Sequence, residues 1–194
     1  MYAQENTDQY LQNIKGPPIE DFIKLIYEGS REDQLIAIDL LAKSGSKDDK
    51  VIEALLYCLQ EGTFFIKRRA GTVINDFWDV RAKSAEVLGD IGDPCVLPQL
   101  HKVLIRDPDP IVRSCTAIAI GKIGQPESIR FLDLAIKTTD ITGSNEVVIL
   151  SCVNAMGEIG DPAAFLPLYE VTRGPYKSNI KLAARDALEK LHWE

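Results

Sequence analysis

One motif occurs three times in this chain of 194 residues and limits what the chain can fold into. Val80–Pro94 reads VRAKSAEVLGDIGDP, Val112–Pro126 reads VRSCTAIAIGKIGQP, and Val148–Pro162 reads VILSCVNAMGEIGDP. The copies start 32 and 36 residues apart, and a fourth, Ile180–Leu191, follows after a further 32. A degraded copy, Leu35–Gly45, precedes them. Self-similarity at this period belongs to stacked repeats, in which each unit leaves an apolar face that only its neighbour can cover.

Each copy encodes a helix and its stop. Ala85, Leu88 and Ile91, like Ala117, Ile120 and Ile123, recur at three-residue steps and fall on one face. Gly89, Gly121 and Gly157 sit inside the helical pattern, where glycine costs about 1 kcal/mol relative to alanine. Their recurrence predicts close helix packing. Gly92, Gly124 and Gly160 fall where a left-handed residue would end the helix. The following Asp93-Pro94, Gln125-Pro126 and Asp161-Pro162 read as a cap and a proline at the first position of a second helix. The second helices carry paired apolar positions, as in Leu97 and Leu100, Ile129 and Leu132, or Phe165 and Leu168. The pattern predicts helices over Thr7–Asn13, Ile19–Glu28, Arg31–Lys43, Lys47–Glu61, Val80–Ile91, Pro94–Ile105, Pro110–Ile123, Pro126–Thr138, Glu146–Ile159, Pro162–Thr172 and Ser178–Leu191. No stretch alternates as a strand between hairpin turns.

These residues resemble the HEAT-like repeats of the phycobilisome-lyase type. The resemblance covers roughly 31–191 and rests on Val80-Arg81, Val112-Arg113, the Gly-x-Ile-Gly runs and the Asp-Pro or Gln-Pro that follows. It departs at Ile149, where an arginine is missing, and at Glu189 and His192, where glycines are missing. It implies an all-α, right-handed α-α superhelix, a HEAT/armadillo-like solenoid of about five helical hairpins. The expected layout is one domain: capping helices over 1–30, a first repeat over 31–79 with an insertion at 62–79, regular repeats over 80–111, 112–145 and 146–177, and a capping helix over 178–194.

Composition narrows the function. The net charge is −7, and neither half is basic: residues 1–79 hold 9 basic and 14 acidic side chains, and residues 80–194 hold 13 and 15. That opposes the broad phosphate neutralisation of a duplex-binding protein. No apolar run approaches the ~18 residues that would span a membrane. The start, Met1–Asn6, shows no basic-then-apolar signal, so a cytoplasmic location with reduced thiols is expected. Cys58, Cys95, Cys115 and Cys152 form no Cys-x-x-Cys pair, and His101 and His192 are the only histidines. No metal site or cofactor is expected. Cys95 stands at a helix start, where the helix field can lower a thiol pKa, although its repeat counterpart is the small Ala163. No nucleophile elbow, phosphate loop or His-Glu-x-x-His is present, so no catalytic residue is nominated and the chain reads as a non-enzyme.

Two sets of residues are candidates for contact with a protein partner. The insertion holds Phe64, Phe65, Lys67, Arg68, Arg69, Phe77 and Trp78, aromatic rings beside a basic run that suit an acidic segment or a phosphate-bearing ligand. The alternative is that these rings fold back over the adjoining helices. The second helices are expected to line the inner curve, which would present Gln99, Phe131 and Pro167 in one row and His101, Asp133 and Tyr169 in another. Arg81 and Arg113 read as a structural ladder bonded to Asp79, Asp109 or a loop carbonyl. The leading expectation is a non-catalytic adaptor that holds a partner against its concave face and the insertion. The resemblance implies an alternative, a partner-dependent subunit of a bilin-lyase-type enzyme. Nucleic-acid binding is a third reading, opposed by the charge.

Overall fold

The glycine stops and proline starts set the element boundaries. A computed structural model describes residues 18–60, 68–69, 72–73, 77–141 and 143–193. Its helices are α1 (Ile19–Glu28), α2 (Arg31–Ser44), α3 (Asp49–Gln60), α4 (Trp78–Ile91), α5 (Leu97–Arg106), α6 (Pro110–Ile123), α7 (Ile129–Thr138), α8 (Glu146–Ile159), α9 (Phe165–Arg173) and α10 (Ser178–Glu189). Within the insertion, Arg68–Arg69 pairs antiparallel with Thr72–Val73, the one strand pairing among the described residues. The expected helix over Thr7–Asn13 lies outside the described residues.

The expected helices at Pro94, Pro126 and Pro162 begin differently. Each opens with a 3-10 turn, Pro94–Val96, Pro126–Ser128 and Pro162–Ala164, before the α-helix proper. The cause is local. Asp93 Oδ1 accepts the Cys95 amide at 2.8 Å and Asp161 Oδ1 accepts that of Ala163 at 2.8 Å. This tight aspartate turn, with proline at the next position, draws the first turn closer than α geometry. Gln125 makes no such bond. At the other end, α4 starts at Trp78, so Trp78 and Asp79 belong to a helix and not to the insertion.

Consecutive helices pack as five hairpins: α1 with α2, α3 with α4, α5 with α6, α7 with α8, and α9 with α10. The count agrees with the expectation and the phase does not. The sequence units begin on the Val-Arg helix, whereas the physical partners are the second helix of one unit and the first helix of the next. Gly92 explains the corner between α4 and α5. It ends α4 at φ 75°, in the left-handed region that a side chain disfavours, and its N–H returns to Leu88 O at 3.2 Å. Gly124 and Gly160 repeat the device at φ 75° and 68°.

The hairpins stack into two rows. In one row α4, α6, α8 and α10 are in backbone contact, because each approach is made by glycine against alanine. A Cβ on Gly89 would lie 2.6 Å from Ala119 Cα, one on Gly121 2.9 Å from Ala155 Cα, and one on Gly157 3.0 Å from Ala187 Cα. The other row, α3, α5, α7 and α9, is looser and leaves open space between α5 and α7. The tighter row is thus α4, α6 and α8, and small residues in the Val-Arg helices set its spacing. Leu88, Leu100, Ile120, Leu132 and Ile149 are fully buried between the rows. The result is an α solenoid with a continuous thin core.

Arginines, one buried and one half-buried, staple one hairpin to the next. Arg81, 1% exposed, donates from Nε to Asp107 Oδ2 at 2.8 Å and from Nη2 to Oδ1 at 3.3 Å. Arg113 donates to Leu104 O at 2.8 Å and to Thr139 Oγ1 at 2.6 Å. The ladder exists, with different rungs from those expected. Asp79 instead takes both forks of Arg31, and Asp109 caps α6 by accepting from Ile111 N at 2.8 Å. Arg81 and Arg113 each reach 26 residues ahead, to the residue that ends the following second helix. Ile149 stands where the next arginine would, and the position 26 beyond it is Pro175, which has no side-chain acceptor. Donor and acceptor are lost together.

Candidate partner-binding groove

The looser row leaves a groove of about 640 Å³ between α5 and α7. Leu97, Pro98, Ile105, Phe131 and Leu134 form its apolar floor and sides. Lys102 and Arg106 border it from α5, one helical turn apart, while Glu127 borders it from the 3-10 turn before α7 and Arg130 from α7 itself. The one-turn spacing of Lys102 and Arg106 puts both charges on one edge, while Leu97, Leu100 and Leu104 turn inward and are buried.

His101 forms part of the wall. It is 8% exposed, its Nε2 shares a 3.0 Å hydrogen bond with Ser128 Oγ, and its ring stacks on Phe131 with centroids 3.9 Å apart at 14°. Burial, aided by the positive charge of Arg130, holds its pKa below the ordinary imidazole value, and Glu127 opposes this weakly. It is thus a neutral packing and hydrogen-bonding group at neutral pH. Arg130 in turn lies over the Phe131 ring, 4.7 Å from its centroid.

The two expected rows do not present uniform surfaces. His101 and Phe131 come together in the groove wall. Asp133 is half-buried and accepts from Lys137 Nζ at 2.9 Å, and the same ammonium reaches Glu170 at 3.2 Å, which ties α7 to α9. Tyr169 is 41% exposed and belongs to a separate aromatic cluster at the end of the stack, with Phe165 at 6.0 Å, whose ring meets Trp193 edge-on at 5.5 Å. Gln99 is half-buried, and its Oε1 has no donor among the described residues. In the insertion, Phe64, Phe65 and Lys67 lie outside the described residues, and only the backbone of Arg68 and Arg69 is described. Phe77 packs against the core as the fold-back alternative has it, whereas Trp78 is 41% exposed at the start of α4. The sequence reading missed Pro98, Lys102, Ile105, Arg106, Arg130 and Leu134. The available signal was the one-turn repeat of basic residues along a helix whose buried face is mostly apolar.

Thiol chemistry is absent from the groove. Burial pushes the Cys58 and Cys152 thiols up to about 12. Cys95 is exposed, but its hydrogen bond to Asp93 raises its pKa as well, so the helix-start activation considered for it does not occur. Among the described residues no group of three or more His, Cys, Asp or Glu is placed to hold a metal ion. No described helix is long and apolar enough to cross a membrane.

Comparison with known proteins gives a consistent picture of the fold. Residues 70–142 match HEAT repeats. Comparison with curated proteins gave no sequence match. Among solved structures, the chain is similar to one in the complex of CpcE and CpcF of phycocyanin lyase from Nostoc sp. PCC7120, at a TM-score of 0.71 and 21% identity, over 94% of this chain and 68% of that one. With its stacked hairpins, glycine corners and arginine rungs, the chain is an α solenoid whose residues 70–142 match HEAT repeats.

Proposed function

We propose that this chain is a non-catalytic adaptor that holds a protein partner on the looser row of its solenoid. The observation that carries the reading is the unfilled, apolar-floored groove between α5 and α7, in a stack whose other row is closed by glycine–alanine contact. Large exposed apolar surfaces on otherwise packed proteins mark interaction sites. The insertion, with Phe64, Phe65, Lys67, Arg68, Arg69 and Trp78, is a second contact in this reading, and Tyr169 with Phe165 a third. The test compares co-purification from the native source by the intact chain, by Leu134→Asp, by Tyr169→Asp and by a chain lacking residues 63–78. A partner retained by the intact chain and lost with Leu134→Asp supports the adaptor. Equal recovery with all baits, or none with any, removes it, and equal recovery without residues 63–78 removes the insertion as a contact.

A second reading has one observation in its favour. The similar solved structure is a complex of two phycocyanin lyase proteins, so this chain would be one subunit of a lyase-type pair. It would then need a second solenoid subunit and an open-chain bilin. Mixing the chain with a bilin, alone and with a candidate second subunit, tests this by absorbance: a shifted and sharpened bilin band supports it, and an unchanged spectrum opposes it.

A further inference from the structure

We propose that the groove between α5 and α7 takes an acidic amphipathic helix of the partner protein. The inference rests on the adaptor reading and names the chemistry of what the adaptor holds. Three observations carry it. The floor is apolar, so the occupant must bring an apolar stripe. The border is cationic: Lys102, Arg106 and Arg130 outnumber Glu127, in a chain with 29 acidic and 22 basic side chains. Finally, those three cations stand together along one apolar-floored groove and make no ion pair among the described residues. The border charges are therefore left for a carboxylate from outside.

Shape selects a helix. The groove follows α5, whose ten residues span about 15 Å, the length of nearly three helical turns. A helix laid along it would set residues at i, i+3, i+4 and i+7 on the floor and carry acidic residues toward the flanking cations. Arg130 is pre-positioned for this by its contact with Phe131. The apolar floor gives a nucleic-acid backbone nothing to bond, and the net charge repels it.

The experiment uses two labelled synthetic helical peptides of the same apolar stripe, one flanked by Glu and its counterpart by Lys at the same positions. Anisotropy is measured with the full chain, with the triple variant Lys102→Glu/Arg106→Glu/Arg130→Glu, and with the milder triple change to Gln. All three positions are exposed, so the variants should keep the wild-type melting profile, which circular dichroism checks. The wild-type chain should bind the acidic peptide at least about tenfold more tightly than the basic one, less so at high salt. The Gln variant should erase the difference and the Glu variant should reverse it. Equal binding of both peptides by the wild type, no binding of either, or an unchanged order in the Glu variant overturns the proposal. So does a DNA duplex bound through the same three cations. The adaptor reading has its own outcome: a native partner lost with Leu134→Asp but retained by the Glu variant leaves the adaptor standing and removes the acidic helix.

Discussion

Arg81 shows what a buried ion pair does in a thin core. Its side chain is 1% exposed and that of Asp107 2% exposed. Removing one partner strands the other charge out of water, so Arg81→Met should lower unfolding stability by about 3–5 kcal/mol in urea titrations. Replacing both, Arg81→Met with Asp107→Leu, should recover much of that loss, because the desolvation penalty disappears with the charge. The chain already contains such a double replacement, Ile149 with Pro175. His101 makes a different prediction. Its pKa is lowered on folding, so the unfolded chain binds the proton more readily. Its contribution is intact above the ordinary value of 6.5 and declines as pH falls from there through the lowered native value. Asp33 and Asp93, held below their ordinary 3.8 by backbone hydrogen bonds, titrate only at more acid pH. Melting temperatures between pH 7.5 and 5 should fall for the wild type and fall less for His101→Gln, which keeps a partner for Ser128.

At the scale of elements, two kinds of glycine should respond differently to alanine. Gly89→Ala adds helix propensity worth about 1 kcal/mol but drives a methyl into the Ala119 backbone, so a net loss of about 1–3 kcal/mol is expected. Gly45→Ala meets nothing within 4 Å, and its φ of 64° alone should make it destabilising by about 1 kcal/mol. Denaturant midpoints at unchanged slope would check both; a stabilised Gly89→Ala would refute the close-packing account. The helices were legible because each stop and start is encoded locally, in a glycine, a capping aspartate and a proline. Their first turns were less so, since the aspartate turn before Pro94 tightens geometry in a way that apolar spacing does not register. The hairpin phase was hidden as well. Periodicity marks the unit but not which of its two neighbours a helix leans on, and that depends on the Gly92 corner and the Asp107–Asp109 reversal.

For the whole molecule, stability should grade along the stack. Hydrogen exchange is expected to be slowest in α4, α6 and α8, which have neighbours on both sides, and fastest in α1 and α10. Uniform protection from end to end would contradict a row of nearest-neighbour contacts. The same gradient explains why the candidate surface was only partly legible. His101, Asp133 and Tyr169 occupy equivalent positions, yet the first is buried, the second half-buried and the third exposed. What differs is the neighbour in the row: Phe131 covers His101, whereas Tyr169 meets Phe165 of its own helix at 6.0 Å and no described helix of that row packs beyond α9. Exposure in a solenoid is set by the adjacent repeat as much as by the residue.

The missing rung at Ile149 has a consequence for mechanics. The joints made by Arg81 and Arg113 are riveted by a buried and a half-buried guanidinium, while α8 and the final hairpin are bridged by Lys177 and Glu146, 2.8 Å apart, with the lysine largely in water. Dissolved ions weaken such an exposed tie and scarcely touch a sheltered one. In concentrated brine the stack should therefore slacken at its C-terminal knuckle before the Arg81 and Arg113 joints, and stretching it from both ends should detach that hairpin before either of those gives way.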